Sequence, residues 1–495
     1  MGKYIHIYGS LSLCFALFFN LLCRTVLCYS GGADLFSQMR PFFIANRGRG
    51  HTRGGILDSS NIFNVLNFGA RGDGSSYENE AFEAAWAATC KADGGVMVVP
   101  SGYTFLLRPI IFSGGKCQSN VVVQVDGEIV APPNKSDWEE NASQWILFVE
   151  CKNGLTIRGN GGVFDGRGQA WWNPNKDYMY GHKHKLVAPL DQAWWDRNGD
   201  YMYGRKHKLV APHEAWWNRN GDYIYGHKHK LAAGFAPNAM TISNSFNVTV
   251  TGITIQNSPR MHIDIEYCQQ VKVFNFTVSS PGDSRNTDGI HLSRSQHVDI
   301  HNSTLACGDD CVSIQTGCSD IEIYDVNCGP GHGYSIGGLG YHKQQAQVSD
   351  IIIRDSSVRD SMTGVRIKTW EGGSGLVQNV TFSNIMMSDV KIPITIDQHY
   401  CGGAKGCGNE GSAVAITGIT YQNITGTYTK TSVSLMCSDQ EPCKDLKVAD
   451  IRLTPSGYKK KGSGKGPYCS NAYGEVLTQT LPPLNDCLQV DSLAY

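Results

Sequence analysis

The sequence predicts an all-β solenoid, a parallel β-helix, on three observations. Short runs rich in Val, Ile and Thr recur through the second half of the chain, each bounded by Gly, Asn, Asp or Ser. NVTV at Asn247, QVKV at Gln270, HVDI at His297, DIEI at Asp320, DIII at Asp350 and NVTF at Asn379 lie 23, 27, 23, 30 and 29 residues apart. The gaps between runs carry no amphipathic helical pattern, which a doubly wound α/β sheet requires, so stacked coils are left, with a β-sandwich as the second reading.

The elements follow in chain order. Residues 1–30 have the form of an export signal: Lys3, an apolar stretch from Leu11 to Leu22, then small or neutral residues around Cys28, Ser30 and Gly31. Asn20 and Arg24 leave that stretch short of the roughly 20 apolar residues a membrane span needs. Residues 31–60 are Gly-rich and basic without a period, which describes a flexible leader or pro-segment. Order is expected from residue 61 to residue 495 as one β-helical domain. FNVLNFGARGDG at Phe63 gives a short strand and a turn. From Glu80 to Cys90, Phe82, Ala85, Trp86 and Thr89 recur at helical spacing, so a short N-terminal helix caps the open end of the core.

One segment, about 169–233, departs from the coil pattern. AWWN or AWWD, then DY, then GHKHKL or GRKHKL, occurs at Ala170–Leu186, Ala193–Leu209 and Ala215–Leu231, with starts 23 and 22 residues apart. This is a tandem triplication forming a loop insertion. Its histidines (His182, His184, His207, His213, His227 and His229) are copies of one unit rather than a metal-ligand set. Its Trp pairs, such as Trp194 and Trp195, suit packing before sugar stacking.

Composition bounds the function. The formal net charge of −1 argues against a nucleic-acid partner. Of 17 cysteines, Cys14, Cys23 and Cys28 fall in the signal, and the even remainder fits an oxidising compartment. Proximity suggests Cys311 with Cys328, Cys401 with Cys407, Cys437 with Cys443 and Cys469 with Cys487, while sequence alone leaves the connectivity open. Asn134, Asn141, Asn247, Asn275, Asn302, Asn379 and Asn423 begin Asn-x-Ser/Thr sites compatible with glycosylation.

Four motifs carry the chemistry: NTDGI with Asn286 and Asp288, CGDDC with Asp309 and Asp310, GPGHG with His332, and RIK with Arg366 and Lys368. Asp288 to Asp309 is 21 residues, Asp309 to His332 is 23 and His332 to Arg366 is 34, each near one coil plus a turn. Coils stack about 4.8 Å apart, so the motifs fall within a patch roughly 15 Å tall. Hydrolysis of a glycosidic bond needs one carboxylic acid for the leaving oxygen and one carboxylate for water or the sugar carbon, and three aspartates supply both. Crowding is expected to raise the pKa of at least one of them. Asp309 and Asp310, adjacent in sequence, share a site only if Gly308 or the turn bends the chain. Arg366 and Lys368, two apart on a strand, share a face and offer charge to an acidic substrate. Singly, each motif reads as a solvated turn, a polar strand face or a loop. At coil spacing they form a site.

On NTDGI, GDDC, GHG and RIKTW the chain resembles the plant polygalacturonases of glycoside hydrolase family 28, over about Phe63 to Cys487. The resemblance implies a right-handed parallel β-helix and a secreted, inverting hydrolase of α-1,4-galacturonosidic bonds in pectin, with no metal and no cofactor. It assigns Asp309 as the acid, Asp288 and Asp310 as holders of the attacking water, and His332 as the residue tuning the cluster. Arg366 and Lys368 then bind substrate carboxylate, and Asn286 fixes the site. The expected partner is pectin, for a monomer in the cell wall that meets neither nucleic acid nor, after signal removal, a membrane. The alternatives are a hydrolase of rhamnogalacturonan or xylogalacturonan, a calcium-dependent lyase, and a pectin-binding wall protein without catalysis.

Overall fold

The computed structural model describes residues 61–138, 143–172, 236–401, 412–457 and 465–490. The expected signal and leader, and residues 173–233 of the triplication, lie outside them.

Among the described residues the chain winds into coils that contribute strands to two sheets, one of 18 strands and one of 11, and every pairing between these strands is parallel. The repeated runs of the sequence are strands of the larger sheet. Val248, Val271, Val298, Ile321, Ile351, Val380, Ile419 and Leu446 stand in register on successive coils. All are buried, so each coil covers the apolar row of the one before it.

The first residue of each repeat has a common backbone role. Asn247, Gln270, His297, Asp320, Asp350 and Asn379 have φ between 53° and 60°. This left-handed corner tolerates Asn and Asp, whose short polar side chains bond locally. At one such corner Asn379 Nδ2 donates to Asp350 Oδ1 at 2.6 Å. The period read along the sequence is therefore the recurrence of a corner. Coils also precede it, because Val96–Val99, Val121–Val125 and Leu155–Asp165 pair in the same sheet.

The capping helix, α1, runs Asn79–Thr89 and buries Ala81, Phe82, Ala85, Trp86 and Thr89. Phe82 packs on Phe105 with ring centres 5.5 Å apart, and Trp86 on Phe112 at 5.3 Å. The Trp86 indole donates to the Ser113 carbonyl at 3.0 Å. One face of α1 thus seals the end of the core, as its spacing predicts.

The predicted disulfides Cys311–Cys328, Cys437–Cys443 and Cys469–Cys487 are present. Cys90–Cys117 was not among the pairs chosen by proximity, since 27 residues separate its partners. Cys407 of the remaining predicted pair lies outside the described residues. Cys151, Cys268, Cys307 and Cys318 are buried free thiols. No helix among the described residues is long and apolar enough to cross a membrane.

Candidate active site

The 11-stranded sheet supplies the floor of the site. Along its outward face Thr241, Asp264, His291, Ser313, Ser335, Arg366 and Thr395 stand side by side on successive coils. Two residues farther along, Gly337, Lys368 and Asp397 form a parallel row. A β-strand sends alternate side chains to one face, so spacing by two along the strand and stacking across coils together make a polar grid. Asn286, Asp288, Asp309, Asp310 and Lys368 line one cleft over this grid, with Arg260, His291 and Gln315.

Asp309 and Asp310 do not sit on a regular strand. They occupy the bend between strands Gln296–Ala306 and Val312–Ile314, which resolves the alternation problem. Gly308 makes the bend possible: a Cβ there would stand 1.8 Å from the Ser284 carbonyl oxygen. Its amide donates to Thr287 Oγ1 at 2.9 Å, tying this bend to the one that carries Asp288. The Asp310 amide then donates to Asp309 Oδ1 at 2.9 Å.

Asp310 is nearly sealed from solvent and fully partnered. One carboxylate oxygen accepts from Arg366 at 2.6 Å and from Ser335 Oγ at 2.7 Å, and the other from Lys368 Nζ at 3.0 Å. Arg366 Nε also donates to Ser335 Oγ at 3.0 Å, closing a small network. Burial pushes the Asp310 carboxyl up, but Lys368 and Arg366, then His332 and the Ser335 bond, hold it far below the usual carboxylate range. Asp310 is thus not a carboxyl that the cluster raises, because two cations outweigh the cost of its burial. The two cations also face Asp310 directly rather than standing uncommitted toward a substrate.

Asp309 is set differently, with about a quarter of its side chain in contact with solvent. His332 Nδ1 lies 2.9 Å from its Oδ1, and the His332 amide donates to the Asp309 carbonyl at 2.7 Å. Gly333, at φ 79°, would carry a Cβ 2.1 Å from the Gly364 carbonyl oxygen, so glycine is required for the close coil contact beside His332. Asp288 is largely buried, with its Oδ2 3.1 Å from His291 Nδ1.

The arrangement therefore offers an ionised, clamped carboxylate beside a partly hydrated one, with a third carboxylate on the neighbouring coil. Donor atoms of Asp309, Asp310 and His332 fall within 4.8 Å of one another. A divalent cation there would meet Arg366 and Lys368, which already neutralise Asp310, so the donor set suits proton transfer better than metal binding.

Sequence reasoning passed over His291, Ser335 and Asp264. The signal for His291 was its position three residues after Asp288 in NTDGIH, on a strand facing the same way as Arg366.

The family model for "Glycosyl hydrolases family 28" matches residues 192–472. A probable polygalacturonase of Arabidopsis thaliana is 36% identical over 438 residues, covering 88% of this chain and 86% of its own. The chain belongs to glycosyl hydrolase family 28. Polygalacturonase-2 of Solanum lycopersicum is 34% identical to this family 28 hydrolase, over 83% of the chain and 79% of the relative. In fold, the hydrolase is similar to an endo-xylogalacturonan hydrolase from Aspergillus tubingensis, with TM-score 0.63 and 20% identity over 83% of this chain and 96% of that one. It is also similar to a hyperthermoactive exopolygalacturonase from Thermotoga maritima, with TM-score 0.60 and 22% identity over 79% and 88% of the two chains.

Proposed function

We propose that the protein is an exported polygalacturonase that cuts α-1,4-galacturonosidic bonds of pectin in the cell wall with inversion, its signal being residues 1–30 and its leader residues 31–60. The observation that carries this reading is the split between neighbouring carboxyls, Asp310 clamped by Arg366 and Lys368 and Asp309 facing the cleft edge with His332. Membership of the family and relatives named polygalacturonase supply the substrate class.

In this mechanism Asp309 gives its proton to the glycosidic oxygen as the bond to the anomeric carbon breaks, releasing a hydroxyl on the departing chain. Water attacks that carbon from the opposite face, and its proton passes to the Asp288–Asp310 pair. Asp310 suits orienting the water because its partners keep it charged, and as the weaker base it leaves the proton to Asp288. Arg366 and Lys368 carry two charges against the one on Asp310, and Lys368 lines the cleft, so the net positive charge favours an acidic sugar over a neutral one. Asn286, on the cleft wall, helps fix the substrate.

The deciding experiment follows product sizes, reducing ends and anomeric configuration during digestion of de-esterified homogalacturonan by the wild type and Asp309→Asn. Wild type should release reducing ends of inverted configuration, and Asp309→Asn should lose a factor of about 100 or more in turnover while staying folded. Undiminished turnover by the variant would overturn the assignment, as would an unsaturated product absorbing in the ultraviolet.

A further inference from the structure

Asp288 is held from two sides by histidines. Inside the coil, His262 donates its backbone amide to the Asp288 carbonyl at 2.8 Å, and its Nδ1 lies 2.8 Å from the same oxygen. A carbonyl only accepts, so His262 Nδ1 carries a proton, and its Nε2 accepts from Ser280 Oγ at 2.7 Å. This fully buried ring, pushed down to about 4 by burial, pins the Asp288 peptide as a neutral strut. On the cleft side, His291 Nδ1 reaches the Asp288 carboxylate itself at 3.1 Å. His291 stands in the grid between Asp264 and Ser313 and lines the cleft.

We infer that His291 is a positioning residue for hydrolysis, donating from Nδ1–H to Asp288 so that this carboxylate faces the attacking water in its charged form. The inference rests on the hydrolase reading above. A donor aimed at a carboxylate favours the ionised state and fixes the orientation of the group. Neutral imidazole is enough for this. Burial lowers the His291 pKa, Arg260 and Lys368 lower it further, and Asp264 and Asp310 oppose them. The lowered pKa favours the neutral ring, and Nδ1–H donates to Asp288 in the neutral and the charged imidazole alike. The bland alternative, a satisfied core histidine, would affect stability and leave the chemistry alone.

The two readings separate in the full-length protein carrying His291→Asn, His291→Gln, His291→Ala or Asp288→Asn. Asn places an amide N–H near the position of imidazole Nδ1, whereas Gln places it near Nε2. His291→Ala and His291→Gln should lower kcat on de-esterified polygalacturonate by about 10- to 100-fold, with KM within about twofold, as expected when a reacting group is misplaced by an ångström or less. The acidic limb of the kcat/KM profile should move to higher pH in both, and His291→Asn should recover most of the rate and the limb. Equal rates for the Asn and Gln variants would overturn the inference, and so would a wild-type pH profile in all three. Loss of turnover in Asp288→Asn with none in the His291 variants sinks this inference alone. Full turnover in Asp288→Asn sinks the parent assignment.

Discussion

Arg366 is joined to Asp310 at 2.6 Å in a pair whose side chains keep 8% and 2% of their exposure. An ion pair so far from water is stable only while both members remain, because each charge loses its hydration and recovers it through the other. Replacing Arg366 with Met leaves Asp310 to Lys368 and the Ser335 hydroxyl. It should therefore cost about 2–3 kcal/mol of stability, below the about 3–5 kcal/mol of a fully uncompensated buried charge and above an exposed pair, with loss of activity. Denaturant unfolding at pH 6 measures it, and a cost under about 1 kcal/mol would contradict the buried pairing.

The same network fixes an acid dependence. The folded pKa of Asp310 lies below the unfolded value of about 3.9, so its contribution is complete above about pH 4 and is lost as pH falls from there toward the folded value. Asp310→Asn has no carboxyl to titrate at this position. The stability gap between wild type and this variant should be full between pH 5 and 7 and shrink below pH 4. A gap independent of pH between 2 and 7 would show that the clamp does not depress the carboxyl.

The main features of this fold were legible because a β-helix writes its period into the chain. Asn247, His297, Asp320 and Asn379 mark corners where φ is positive, and Asn or Asp at such a corner is a local signal. The coils before Asn247 are less legible because their corners vary: Asn120 at φ 57° precedes Val121–Val125, Gly154 at φ 96° precedes Leu155–Asp165, and no such residue directly precedes Val96–Val99. Asp288, Asp309, Asp310 and Lys368 were found by spacing alone, and they line one cleft. What spacing hid was compensation across coils. No local pattern links Asp310 to Lys368, 58 residues away, so the buried clamp on Asp310 could not be read from its neighbours in sequence. Asp264 was hidden for the same reason: its burial is a property of neighbouring coils.

The bend holding Asp309 and Asp310 depends on a missing side chain. With Ser284 O only 1.8 Å from where a Gly308 Cβ would lie, Gly308→Ala forces one bend away from the other. The Gly308 bond to Thr287 would be stretched with it, moving Asp309 relative to Asp288. Stability should fall by about 1–3 kcal/mol, the range for overpacking, and turnover by more than that fall explains at a temperature where the variant remains folded. Thermal unfolding and kcat on the same sample test this. Wild-type kcat in the folded variant would mean that the spacing of the two bends is not critical.

Asp264 provides the opposite pH dependence to Asp310. It stands one coil from His291, and Asn238 Nδ2 donates to its Oδ2 at 3.0 Å. Burial drives its carboxyl up to about 7, opposed by His291 and Arg260 and assisted by Glu266 and Asp288. Unfolded, the group would ionise near 3.9, so the folded chain holds a proton that the unfolded chain has released between about pH 4 and 7. Each pH unit in that window therefore weakens the fold, by at most about 1.4 kcal/mol. Asp264→Asn removes the titration and keeps the shape, so its melting temperature relative to wild type should rise from pH 4 to pH 7 and level off above. A difference that stayed flat across this range, or grew on the acid side, would place the Asp264 carboxyl in water rather than in the grid.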